Sequence, residues 1–326
     1  MYLDNPKLAI EFARKALRLD PNNLALQNTL GLALEFAARS GGDPLLRQAL
    51  LSEATRIFDE GIRRNPTDPY GYIGKVFIIR QLINREHESL RKTLLKADAL
   101  SLLQVAYEAT GESPIIVNQL AIQRNQLGTP EEAIDVLRVA LERDPTNTRL
   151  RDLWIQLEIE RMHLAEALKL ALEGVKYDPT SWRIQRHIAR LKQRSGESID
   201  AVKGHYEAAI RHHRGDAALL VELGAYLFMN HQYSVANSIF SQSRDLPLST
   251  FEKQKIREWW LDADGNLIVF SGKVKSIRRL VAYAFVIPNN FEAFFWRSAK
   301  LFDLHEGDPI KFNIGFNAFG PIAQIL

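Results

Sequence analysis

Glu131-Glu132-Ala133-Ile134-Asp135-Val136-Leu137-Arg138-Val139-Ala140-Leu141-Glu142-Arg143-Asp144-Pro145 is the stretch that decides how most of this 326-residue chain folds. Ala133, Leu137 and Ala140 lie four and three residues apart, so they share one face of a helix. Small residues on such a face let a second helix come close. Asp144-Pro145 then supplies an N-cap and a first-turn residue for the next helix. The pattern recurs as Ala9-Ala13-Ala16 before Asp20-Pro21, Ala54-Phe58-Gly61 before Pro66, and Ala167-Ala171-Gly174 before Asp178-Pro179. Ala99-Leu103-Ala106 with Gly111, Ala201-His205-Ala208 with the Arg214-Gly215-Asp216 turn, and Ala236-Phe240-Ser243 with Pro247 complete the set.

The leading alanines stand at 9, 54, 99, 133, 167, 201 and 236, with spacings of 45, 45, 34, 34, 34 and 35 residues. Thirty-four is the tetratricopeptide (TPR) period. The helix before each motif carries its own small-residue site: Leu30-Gly31, Ile73-Gly74, Leu120-Ala121, Ile188-Ala189 and Leu223-Gly224, with Trp154-Ile155 departing. Residues 1–247 therefore resemble a TPR array, an all-α solenoid of about six repeats plus an orphan N-terminal helix. The two long periods call for about eleven extra residues each, near Ser40 to Pro44 and Asn84 to Leu95, as longer helices or loops. The orphan helix begins almost at Met1. Either it caps the array alone or the chain derives from a longer protein with an upstream effector domain, and the second is favoured because a solenoid end needs a polar cap.

In such arrays the first helix of each repeat lines the concave face where a partner protein docks. Arg183, Arg186, Arg190 and Arg194 are three and four apart, which makes a basic stripe on one such helix. It fits either a groove for an acidic peptide or nucleic-acid backbone, or a solvated face paired with Asp152, Glu158 or Glu160. The lysine and asparagine set with which the family clamps a peptide carboxyl terminus is not found.

After residue 247 the helical period breaks. Residues 248–264 read as a linker with a short helix over Phe251 to Leu261, starting from Ser249 or Thr250, and Trp259-Trp260 read as a wedge between domains. Residues 265–326 read as strands. Successive strand residues face opposite ways, so Tyr283 and Phe285 share one side of Ala282 to Val286, and Phe294 and Trp296 share one side of Glu292 to Trp296. If the two strands are neighbours with those sides aligned, four rings form a platform of the kind that binds single-stranded nucleic acid. The same rings would serve equally to pack against the rest of the chain or a protein partner.

This stretch, with Gly272, Val274, Lys275, Gly307, Ile310, Phe312, Gly320, Pro321 and Ala323, resembles a cold-shock domain, a small five-stranded all-β barrel of the OB type. The resemblance implies base stacking for Tyr283, Phe285, Phe294 and Trp296, with Lys275 on the adjoining backbone path; Lys273, Arg278 and Arg297 add charge to the same expected nucleic-acid surface, Arg297 standing where the family has an aromatic. The chain departs from that family at Ser276, where a stacking tryptophan is usual, and at Ala282 and Ala284, where glycines are usual.

Charge agrees in sign. From Gly265 onward seven basic residues face four acidic ones, so the surplus of +3 for the whole chain lies here. No cysteine is present, which excludes disulfides, thiolate catalysis and cysteine-ligated metal and fits a cytoplasmic location. No apolar run reaches the length of a membrane span. His212-His213 point in different directions on a helix, His87-Glu88 lacks the second histidine of a zinc-protease helix, and Gly41-Gly42 precedes no phosphate-loop lysine. No enzyme activity and no cofactor are expected. The sequence reads as an adaptor, its solenoid holding a protein and its barrel holding single-stranded RNA or DNA. The alternative is a pure interaction scaffold, or the regulatory half of a longer protein, whose barrel binds no nucleic acid.

Overall fold

The computed structural model describes residues 5–262, 265–278, 281–286, 291–296 and 303–326; for 278, 281–286, 291, 292, 294 and 296 it describes the backbone alone. An opening helix α1 (Pro6–Leu19) is followed by the pairs α2 (Leu24–Ser40) with α3 (Pro44–Arg64), α4 (Pro69–Arg85) with α5 (Ser89–Ala109), and α6 (Pro114–Gln126) with α7 (Pro130–Arg143). The pairs α8 (Thr148–Glu160) with α9 (Leu164–Tyr177), α10 (Trp182–Arg194) with α11 (Ile199–His212), and α12 (Ala217–Met229) with α13 (Tyr233–Asp245) complete the repeats. The starts follow from local chemistry. At α4 the Asp68 carboxylate accepts the Tyr70 N–H at 3.1 Å and Pro69 opens the helix, as Asp43 and Pro44 do for α3. The extra residues of the two long periods lie in the helices themselves, since α2 and α3 have 17 and 21 residues where α6 and α7 have 13 and 14.

Contacts divide the chain into two compact units, Met1–Ala167 and Leu168–Leu326. In the first, the fully buried ring of Phe58 on α3 is pressed between α2 and α4. A methyl group at Gly31 would fall 2.6 Å from that ring, and one at Gly74 would fall 2.2 Å from it. Neither distance is possible for real atoms, so both helices need glycine there. Farther along, Leu103, Ile116, Leu120 and Leu137 are buried in a second cluster.

In the second unit the helices and the strands share one core. Short helix α14 (Thr250–Lys255) starts from a capping box of Ser249 and Glu252. The strands are β1 (Glu258–Trp259), β2 (Phe270–Arg278), β3 (Val281–Val286), β4 (Phe291–Trp296), β5 (Pro309–Asn317) and β6 (Gly320–Ile325). They form a six-stranded sheet in the order β1-β5-β2-β3-β4-β6, antiparallel except for β4 with β6, and β5 also pairs with β6.

This corrects the expected five-stranded cold-shock barrel over 265–326. The sheet takes in a strand from before residue 265, because Glu258 and Trp259 pair with Phe316 and Gly315, and that pairing ends α14 at Lys255 rather than near Leu261. Its core is also not its own. Phe228 of α12 meets Phe316 of β5 edge-on at 5.5 Å, Phe240 of α13 stacks parallel to Phe316 at 6.1 Å, and Trp260 lies 6.3 Å from both Phe228 and Phe316. Val274, Ala293, Phe295, Phe312 and Ile314 are buried in the same cluster as Leu223 and Leu227 of α12. Each large apolar side chain so buried is worth about 1.5–3 kcal/mol, which ties the sheet to the last helix pair.

An ionic cluster reinforces this attachment. Glu222, the only charged residue of α12, is buried and takes Arg186 Nε at 2.9 Å and Arg190 at 3.0 Å, both from α10. Arg190 also reaches Glu258 of β1 at 3.2 Å. Burial raises the Glu258 carboxyl above its usual pKa, Arg190 pulling it down and Glu222 pushing it up.

Gly74→Ala is expected to lower stability against denaturant by about 1–3 kcal/mol through overpacking on Phe58. Gly204→Ala, where nothing lies within 4 Å of the added methyl, should instead stabilise α11 by about 0.5–1 kcal/mol. Equal effects in urea titrations would remove the glycine argument. For Glu258, a carboxyl raised by folding contributes its stability fully below the unfolded value, about 4.3, and loses it as pH rises through the folded value. The difference in unfolding free energy between the parent and Glu258→Gln should therefore shift in the variant's favour as pH rises from about 4; a difference constant with pH would contradict the assignment.

Candidate functional site

On β2 the pleat buries Val274 and leaves Ser271, Lys273 and Lys275 exposed. Lys311 of β5 is exposed as well, and its Cα stands opposite Ser271, so it is a diagonal neighbour of Lys273. Three lysines thus line the outer side of these two strands. The pairing of β2 with β3 slips between Val274 and Ser276, and Lys275 occupies that bulge. A bulge of this kind bends the strand and re-aims the side chain at it.

The register carries the row onto β3 and β4. Lys273 stands opposite Phe285, and Tyr283 stands opposite Phe294. Phe285 faces Glu292 and Val281 faces Trp296, which makes Phe285 a diagonal neighbour of Phe294, and Tyr283 one of Trp296. The four aromatic positions therefore run in a continuous zigzag across two neighbouring strands. On β4 the intervening Ala293 and Phe295 are 0% and 2% exposed, committed to the core. The side chains of Tyr283, Phe285, Phe294, Trp296 and Arg278 lie outside what is described, and Arg297 lies outside the described residues altogether. Strand alternation already puts Glu292 on the side of Phe294 and Trp296, but its place opposite Phe285 follows from the pairing register alone.

The arginine stripe on α10 is distributed differently. Arg186 and Arg190 are engaged by Glu222 and Glu258. Burial alone would lower the Arg190 pKa, but the two carboxylates outweigh it and hold the guanidinium above its usual value. Arg183 lies 4.5 Å over the ring of Trp182, whose other stacking neighbour is His213 at 4.3 Å. Arg194 is exposed in the last turn, where a cation suits the helix dipole. Glu222 and Glu258 are thus the acids that hold Arg186 and Arg190, while Glu158 is taken by Trp154, Arg161 and His163. The signal for Glu222 was its isolation among twelve uncharged residues, since a lone acid on an apolar helix calls for a buried partner.

Among the described residues no group of three or more His, Cys, Asp or Glu side chains could hold a metal ion, and no helix is long and apolar enough to cross a membrane.

No protein-family model matches the chain, and no curated protein matches it. Among solved structures it is similar to yeast Tom70, with 13% identity and a TM-score of 0.51 over 78% of this chain and 57% of that one. It is also similar to the human IFIT1 dimer with m7Gppp-AAAA, with 15% identity and a TM-score of 0.45 over 72% of this chain and 54% of that one. A third is TTC0263, a thermophilic TPR protein of Thermus thermophilus, with 19% identity and a TM-score of 0.46 over 59% of this chain and 92% of that one. The chain spans little more than half the length of Tom70 and IFIT1. The likeness is one of helical repeats and lends no support to a C-terminal cold-shock domain. What it shows is the fold: a TPR-like α-solenoid.

Proposed function

We propose that the chain is a non-enzymatic adaptor, its helical repeats docking a protein segment and the outer side of its sheet binding single-stranded nucleic acid. The observation that carries the second part is the strand register. It sets Lys273 opposite Phe285 and Tyr283 opposite Phe294, on strands whose alternate residues Val274, Ala293 and Phe295 are buried. Rings stack on bases at about 1–3 kcal/mol each, with little sequence choice. Lys273, Lys275 and Lys311 supply the charge that follows a phosphate backbone, and Arg278 and Arg297 belong to the same proposed surface. For a protein segment the proposed face is that of Arg183, Arg186, Arg190 and Arg194. An acidic segment there would meet exposed Arg194 directly and would compete with Glu222 and Glu258 for the middle two.

A second reading has its own support. Glu292 stands opposite Phe285 and would repel a phosphate there, which fits a sheet that binds protein only.

Fluorescence anisotropy with a labelled single-stranded oligonucleotide separates the two. Phe285→Ala with Trp296→Ala should weaken binding at least about tenfold without changing helical circular dichroism. Lys273→Glu with Lys275→Glu should weaken it and reduce the slope of log affinity against log salt by about 1.4, or about 0.7 per lost contact. Undetectable binding by the parent, or binding indifferent to both changes, would leave the protein-only scaffold.

A further inference from the structure

Helix α1 is apolar over a wider arc than the face it buries. With about 100° per residue and buried Ala13 as the reference, Ala9, Ile10, Ala16 and Leu17 fall within about 60° of the centre of the covered face. Arg14 lies about 100° to one side, where its guanidinium grips Glu53 of α3 with two bonds of 2.8 Å. That flank is turned toward the next pair. Leu8, Phe12 and Leu19 lie roughly 100–140° to the other side, and they are 41%, 48% and 90% exposed. Lys15 borders them, its Nζ 5.8 Å from the Phe12 ring centroid and 2.7 Å from Glu11.

The order of residues along this stripe makes it self-complementary. If two copies of α1 cross antiparallel about their midpoints, position i of one meets position 27 minus i of the other. Leu8 then meets Leu19 at one end and Leu19 meets Leu8 at the other, while Phe12 meets the alkyl stem and ammonium of Lys15. Glu11 comes beside Lys15 of the other copy on both sides of the two-fold axis, so the flanking charges attract. A parallel crossing would set Lys15 against Lys15 and Glu11 against Glu11. We propose that this flank of α1 is a self-association surface, through which two copies of the chain pair by antiparallel contact of their first helices.

A helix of 14 residues is only about 21 Å long, so the contact belongs at the small, transient end of interface sizes. Self-association is accordingly weak and dependent on concentration.

The test uses the full chain in sedimentation equilibrium over a wide concentration range. The parent should show a monomer–dimer equilibrium, and Leu8→Glu and Leu19→Lys should each weaken it at least tenfold. Both positions are exposed, so unfolding transitions should stay near the parent's. Mixing the two variants should restore association, because in the mixed pair the introduced carboxylate faces the introduced ammonium at one end and the native leucines meet at the other. A parent that stays monomeric throughout, as expected if another molecule's helix is what covers this flank, overturns the proposal. So does a mixture no tighter than either variant alone.

Discussion

A phenyl ring set against bare glycine Cα atoms is the contact on which the rest of this structure depends. Phe58 takes the space that side chains at Gly31 and Gly74 would need, and Phe240 does the same at Gly224, where an added methyl would come within 2.8 Å of the ring. The geometry leaves no slack. A ring at that depth fixes how closely a first helix approaches the second helix in these two pairs; in the pairs between them the same position is held by Leu103, Leu137, Ala171 and His205. In interiors packed this densely, one carbon atom too many is felt as strain.

Phe240 has a second duty. Its other neighbour is Phe316, so the residue that closes the last helix pair also seats the sheet. Trp260 and the Arg190 contacts to Glu222 and Glu258 hold the same junction from the side. The inner side of the sheet is spent on this junction, and Lys273, Lys275 and Lys311 stand exposed on the outer side of β2 and β5. That division of labour, more than any likeness to another protein, is what gives the row of lysines its interest.

Much of the helical fold was legible in the sequence because each cue was local. Four-and-three spacing of small residues, aspartate-proline caps and a fixed period each act within one or two turns, and the two 45-residue periods became longer helices. The sheet was legible as strands but not as an assembly. Two residues, Glu258 and Trp259, are too few to show a period, so the sequence carries no sign of their recruitment to β5, and the helix expected to Leu261 ends at Lys255. Adjacent tryptophans after a break in the helical period point to a wedge, but the partners of Trp260, Phe228 and Phe316, lie far along the chain. The arginine stripe shows the same limit. Spacing puts Arg183, Arg186, Arg190 and Arg194 on one face, yet it cannot say that Glu222 of the following repeat and Glu258 of β1 hold Arg186 and Arg190.

The shared core makes the sheet and the last helix pair one cooperative body. Native-state hydrogen exchange tests it at the amides of Phe312 and Ile314 in β5 and of Leu223 to Leu227 in α12. Both sets should open with the same free energy and respond alike to denaturant. Exchange of the β5 amides through a much cheaper opening, with α12 still protected, would contradict it and make the sheet an appendage.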